Sequence, residues 1–154
     1  MEEKKRDFLF SGTFNRTLDE KNRLAIPARL RSQLEKAQSE DEVIYVFCHP
    51  RSKVIRIYTY DSWMNFAQSI IDKIDDPLKR ADITDAIYSL LEEQKIDGQG
   101  RIPINKDFSK LIGLEKNAVV RGLGRSIQIK PAVEVEKKFE FSDEQNFYID
   151  QMLV

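Results

Sequence analysis

The chain has 154 residues and a formal net charge of −1, with 41% apolar and 33% charged residues. That size sustains one compact unit with a real interior and needs no disulfide or metal staple. Apolar runs such as Val43 to Cys48 fall far below the roughly 18 residues of a membrane span, and one cysteine leaves no internal disulfide and suits a reducing cytosol.

Met1 to Asp7 carry both signs of charge, which is not the pattern of a secretory signal. Thr13 to Leu18 alternates as a strand and then meets Asp19, a turn former whose carboxylate accepts backbone N–H groups. Asn22 tolerates a left-handed backbone, so the stretch fits a hairpin loop made of a type I turn and one left-handed residue. The returning strand begins at Arg23. Ile26-Pro27 opens a short helix with Leu30, Leu34 and Ala37 on one stripe, and strands follow at Val43 to Phe47 and Val54 to Tyr58. Asp61 is the expected cap of a helix carrying Trp63, Phe66, Ala67, Ile70 and Ile74. Asp75-Asp76-Pro77 stops it and starts another, with Leu78, Ala81, Ile87, Leu90 and Leu91. These stripes read as core and subunit packing.

The segment Leu18 to Ile26 then returns 78 residues later as Ile96 to Ile104. Each copy reads apolar, Asp, three turn-type residues, Arg, apolar, any residue, Ile. Gly100 stands where Asn22 stood, Phe108 and Ile112 fall opposite Leu30 and Leu34, and strands Ala118 to Arg121 and Ser126 to Ile129 follow. Self-similarity at this spacing indicates a duplicated unit of about 45 residues, with copies near 12–60 and 90–131. The tail ends in a helix capped by Ser142 with Gln145 three residues on; its Phe147, Met152 and Leu153 are placed to dock on the body or on a neighbour.

Charge is distributed in blocks. Residues 1–38 carry net +3, 61–94 net −5, 95–131 net +5 and 132–154 net −4. If the two basic blocks fold together they make a phosphate-binding face on a protein of low overall pI, because screening confines the field to about a Debye length; otherwise they are solvated faces. Each Asp–Arg pair likewise has two readings. It fixes turn geometry or joins the two copies, or it presents arginine, with Lys21 and Asn22, to a nucleic acid whose guanine or phosphate oxygens a guanidinium can fork.

Catalytic signals are thin. Cys48 and His49 are adjacent in a strand end, so their side chains point to opposite faces and cannot form a nucleophile–base pair. Cys48 reads as a buried thiol and His49 as a turn-entry residue. No phosphate loop, nucleophile elbow or zinc motif is present. Asp19 and Asp97 each have an arginine four residues on, which lowers a carboxyl pKa rather than tuning it for proton transfer. No enzyme, metal or cofactor is expected.

The stretch Gly12-Thr13-Phe14 with Leu18 to Pro27 resembles the N-terminal half of the MraZ family. Ile96 to Ile102 is similar to that family's second Asp-x-x-x-Arg motif, and Ile57-Tyr58, Trp63 and Val119 to Ile127 match its strand patterns. The likeness covers about residues 11–131. It implies an α+β, mainly β fold: two AbrB-like (SpoVT-AbrB) swapped-hairpin units forming a double-split β-barrel with helices packed outside. Implied boundaries are an N-terminal extension 1–11, unit one 12–60, a helical connector 61–89, unit two 90–134 and a tail 135–154. It further implies a bacterial transcriptional regulator in the cytoplasm, associated with the nucleoid, without a membrane partner. Such a protein binds double-stranded DNA as a homo-oligomeric ring, at short G-rich direct repeats before the division and cell-wall gene cluster. Arg23 carries the family's DNA-contacting position; Lys21, Asn22 and Arg16 lie on the same hairpin, and Arg101 is the second motif's arginine. Asp19, Asp97, Gly98 and Gly100 are the motif's structural residues. The alternative is a protein-interaction module such as an antitoxin, although antitoxins of this fold usually carry one unit and a longer tail. The chain departs from the family in Met1 to Phe10, which precede the usual start, in Asn105 where proline is usual, in Lys130 where tryptophan is common, and in a short acidic tail.

Overall fold

The structure is a computed structural model that describes residues 9–37, 43–132 and 139–153. Eight strands and six α-helices alternate in it. The first half holds β1 (Thr13–Thr17), β2 (Arg23–Ala25), α1 (Ala28–Ala37), β3 (Val43–His49) and β4 (Val54–Tyr58). A helical stretch follows as α2 (Tyr60–Ser62), a π-helical turn (Trp63–Gln68), α3 (Ser69–Asp72) and α4 (Pro77–Tyr88). The order then repeats as β5 (Leu91–Lys95), β6 (Arg101–Pro103), α5 (Lys106–Ile112), β7 (Asn117–Gly122) and β8 (Ile127–Pro131), before the C-terminal α6 (Asp143–Asp150).

Strand pairing crosses between the halves. Six strands form an antiparallel sheet in the order β1-β7-β8-β4-β3-β5, and β2 pairs with β6 in a separate two-stranded ribbon. β1 lies on β7 with Thr13 opposite Arg121, and β5 lies on β3 with Leu91 opposite Phe47. Each half therefore lends its first strand to the other's second hairpin. Exchanging the halves leaves the pairing pattern unchanged.

This pairing corrects one expectation. The strands flanking Asp19 do not pair with each other as a hairpin: β1 enters the sheet and β2 enters the ribbon, and only the turn joins them. No closed barrel is found either: β1 and β5 remain the sheet's two edges among the described residues. The physical reason is burial. Leu24 of β2 and Ile102 of β6 face each other and are fully buried, a contact that pairing each strand with its own neighbour could not make.

The core lies on one face of the sheet. Ile44, Val46 and Cys48 of β3, Ile55 and Ile57 of β4, Ala118 and Val120 of β7, and Ile127 and Ile129 of β8 pack there with Leu30 and Leu34 of α1 and Phe108 and Ile112 of α5. The alternation of buried and half-buried residues along β3 is the period of a strand. On the opposite face, Trp63 stands edge-on to Phe47, Tyr58 and Tyr88.

The connecting helices differ from their sequence pattern. The cap of the first is Thr59, whose Oγ1 accepts the Ser62 N–H at 3.1 Å, not Asp61. β4 ends at Tyr58, so Thr59 is the residue left at the boundary. Asp76 does cap α4, accepting from the Leu78 and Lys79 N–H groups, with Pro77 at the first position. Leu90 and Leu91 lie beyond that helix, Leu91 opening β5. These stripes reach the core only in part: Trp63 is buried, but α4 buries no residue, and Phe66, Ile70 and Leu78 are exposed. In the tail, Ser142 and Gln145 form the reciprocal capping box anticipated for α6. The boundary at 134/135 and most of the 1–11 extension lie outside the described residues.

Truncating Leu24 to alanine is expected to cost about 2–5 kcal/mol of unfolding free energy, read by urea denaturation. The same change at the exposed Leu78 should leave the midpoint nearly unmoved.

Candidate nucleic-acid interface

The two Asp-x-x-x-Arg turns are built from the same hydrogen bonds. In the first, Asp19 N–H donates to the Arg23 carbonyl and Asn22 N–H donates to the Asp19 carbonyl, each at 3.0 Å. Asp19 Oδ1 accepts the N–H groups of Lys21 (2.9 Å) and Arg23 (2.8 Å), and Oδ2 accepts Arg23 Nε at 2.7 Å. In the second, Asp97 Oδ1 accepts the N–H groups of Gln99 and Arg101, both at 2.9 Å, and Oδ2 accepts Arg101 Nε at 3.0 Å. One carboxylate thus fixes a turn with one oxygen and a guanidinium with the other.

Asn22 and Gly100 take the left-handed backbone anticipated from their residue types, with φ of 59° and 78°. That geometry aims each carbonyl at the opposite half: Ile104 N–H donates to the Asn22 carbonyl and Ile26 N–H to the Gly100 carbonyl, both at 2.9 Å. The turns are laced together through the ribbon.

Alternation along the ribbon does the rest. Leu24 and Ile102 point inward and are fully buried, so Arg23 and Arg101 project to the solvent face. The Asp19 carboxylate touches both arginines, with Arg101 Nη1 at 3.8 Å from Oδ2. Arginines 78 residues apart in sequence therefore share one carboxylate and one face. Asp19 engages Arg23 by its Nε edge, and the Nη groups of Arg23 make no hydrogen bond among the described residues.

Other sequence candidates are placed differently. Lys21 is exposed at the turn. Asn22 turns its amide inward, Nδ2 donating to the Ile104 carbonyl at 2.8 Å and lying 3.5 Å from Ser109 Oγ. Arg16 belongs to the edge strand β1, where Nη1 donates to the Asn15 carbonyl and the guanidinium lies 5.6 Å from the centre of the Phe14 ring. Gly98 has open space where a Cβ would stand, so sterics do not demand glycine there.

Arg31 is a residue the motif did not reveal. It reaches across from α1 to cover the second turn, and a Cβ on Gly100 would meet its Nη1 at 2.7 Å. Its Nε pairs with Glu35 at 3.2 Å. The 78-residue offset held the signal. It sets Asn22 opposite Gly100 and Arg31 opposite Ser109, so one turn pairs a large turn residue with a small helix residue and the other does the reverse.

Both motif carboxyls are held below the usual aspartate range. For Asp19 the largest cause is the Arg23 backbone N–H, partly offset by desolvation and reinforced by the Arg23 guanidinium and the Lys21 N–H. Asp97 is lowered first by the Arg101 N–H, again against desolvation. Neither is a proton donor at neutral pH. Cys48 sits on the core face, where burial pushes its thiol up, while His49 packs against Phe47 and is pushed down by burial and by Arg56. Among the described residues no group of three His, Cys, Asp or Glu side chains is arranged to hold a metal ion, and no helix is long and apolar enough to cross a membrane.

Known proteins resemble this chain in sequence. Residues 9–83 match the family model described as "MraZ protein, putative antitoxin-like". A protein named transcriptional regulator MraZ from Chlorobium phaeobacteroides is 31% identical over 73% of this chain and 76% of its own. The chain belongs to the MraZ family. Further MraZ relatives bearing the same name are those of Thermomicrobium roseum, 30% identical over 79% of this chain and 80% of its own, and Treponema denticola, 28% identical over 86% and 89%.

Two tests follow from the turn geometry. Gly100→Ala places a Cβ at positive φ and against Arg31, and should destabilise the fold by about 1–2 kcal/mol in thermal unfolding. A depressed carboxyl pKa stabilises the folded state above the ordinary aspartate range, and that contribution is lost as pH falls through the folded-state value. The pair Asp19→Asn and Asp97→Asn should therefore flatten the loss of stability measured between about pH 5 and pH 2.

Proposed function

We propose that this protein is a sequence-specific DNA-binding transcriptional regulator, without catalysis, whose contact surface is the Arg23–Arg101 face of the β2–β6 ribbon. The carrying observation is that two motif arginines, anchored by carboxylates through Nε, share one solvent face. A guanidinium held by one edge presents its remaining donors in a fixed direction, which suits forked contact with guanine edges or phosphate oxygens. Arg23 is the principal contact, Arg101 and Lys21 support it, and Arg16 adds charge from β1. Asn22 positions the turn through its bonds to the second half. Arg31 adds a further cation beside Gly100.

The crossed pairing of the halves supports the reading of residues 12–60 and 90–134 as two AbrB-like swapped units joined by the 61–89 connector. The relatives' name supports regulation of transcription. We assign the operator to short G-rich direct repeats upstream of division and cell-wall genes, and the place of action to the nucleoid in the cytoplasm. One ribbon neutralises few phosphates and grips weakly. Several held on one homo-oligomeric ring turn later contacts into intramolecular ones, raising avidity by about 10²–10⁴. The exposed Phe66, Ile70 and Leu78 of the connector supply apolar surface for such assembly.

The alternative, a protein-interaction module of the antitoxin kind, draws on the wording of the matched family description. The two readings separate in one experiment. Arg23→Ala should weaken binding to a tandem-repeat duplex by at least tenfold while leaving oligomer size in sedimentation unchanged, and wild-type affinity should fall steeply between about 50 and 200 mM salt. Unchanged affinity in the variant, with a stoichiometric protein partner captured in its place, would favour the alternative.

A further inference from the structure

The C-terminal segment 139–153 has exposed side chains throughout. It carries four carboxylates, Glu140, Asp143, Glu144 and Asp150, and no lysine or arginine. Phe139, Phe141, Phe147 and Tyr148 are its exposed aromatic residues. An eight-residue helix such as α6 is marginal in water without tertiary cover, and its capping box is a local device that does not supply it. Carboxylates and aromatic faces are the two partners a guanidinium takes. This chain already stacks arginine on a ring twice, Arg16 on Phe14 and Arg125 on Phe66.

The point where the chain leaves the sheet lies within reach of such a partner. β8 ends at Pro131, and Ala132 N–H donates to the Asn117 carbonyl at 3.0 Å. Asn117 lies opposite Thr17, the last residue of β1, whose Oγ1 is 3.1 Å from Asn117 Oδ1. Leu18 N–H donates to the neighbouring Lys116 carbonyl at 2.8 Å. The chain thus leaves the sheet two strand spacings, roughly 10 Å, from the residue that enters the Asp19–Arg23 turn. Seven Cα steps separate Ala132 from Phe139, a reach of about 25 Å at most.

We propose that segment 139–153 docks on the Arg23–Arg101 face of its own chain, its carboxylates and aromatic rings against the guanidinium groups, and competes there with nucleic-acid phosphate. The competition rests on the DNA-binding reading; the docking does not. As a tethered ligand the segment acts at an effective concentration set by its short linker, so a weak contact suffices to tax non-specific phosphate binding. A repeat array that engages several ribbons displaces it.

The test uses the full chain and two variants, Asp143→Asn/Glu144→Gln/Asp150→Asn and Arg23→Ala/Arg101→Ala. Amide hydrogen exchange of residues 139–153 should be slow in the wild type and several-fold faster in both variants. Equal exchange in all three chains, or protection that survives loss of the arginines, overturns the docking and points to a cover elsewhere, such as a second copy. The carboxylate variant should also bind a tandem G-rich duplex roughly tenfold more tightly at low salt, with the difference fading as salt screens it. Unchanged affinity alongside faster exchange overturns the competition. Faster exchange in both variants, with no duplex bound by any chain, sustains the docking and sinks the DNA-binding reading instead.

Discussion

The reciprocal pair of hydrogen bonds from Ile104 to Asn22 and from Ile26 to Gly100 is the constraint on which the rest of the molecule depends. Each requires a carbonyl aimed by a left-handed residue, and each crosses from one half of the chain to the other. With both in place, β2 and β6 have no register open to them except the one that buries Leu24 on Ile102. That register sets Arg23 and Arg101 on the outer face. Stability and the placement of charge therefore follow from one arrangement, and the same Asp19 carboxylate serves the turn, its own arginine and the arginine of the other copy.

The two turns are alike without being equal. Arg101 contacts both Asp97 and Asp19, whereas Arg23 is paired with Asp19 alone among the described residues. The first turn is braced from inside by the Asn22 amide, the second covered from outside by Arg31. The two turns differ through exchanges of side-chain size, Asn22 with Ser109 in one and Gly100 with Arg31 in the other. The result is a face with one arginine held by a single carboxylate and one held by two.

Apolar surface is distributed unevenly. The sheet's core face is closed by α1, α5 and the ribbon, and Trp63 covers part of the other face. Beyond Trp63 the connector turns outward, exposing Ile70 and Leu78, and the C-terminal segment does the same with Phe147 in α6 and Met152 and Leu153 after it. A monomer gains nothing from such residues in water.

The local features were legible in the sequence. Asp19 and Asp97 as turn formers, Asn22 and Gly100 as left-handed residues, the capping box at Ser142 and the burial of Cys48 all depend on residue type and near-neighbour spacing. The internal repeat was legible too, because similarity survives in order along the chain. Strand partners were not. A hairpin and a swapped pairing ask for the same alternation and the same turn, so the sequence pattern could not separate them. Burial of Leu24 against Ile102 decides between them, and that contact exists only after the two halves meet. For the same reason the inward turn of Asn22, the cover that Arg31 lays over Gly100 and the exposure of α4 emerge only from the tertiary structure. Sequence determined which residues could turn, cap and pair locally; the packing of one half on the other determined which of them face solvent.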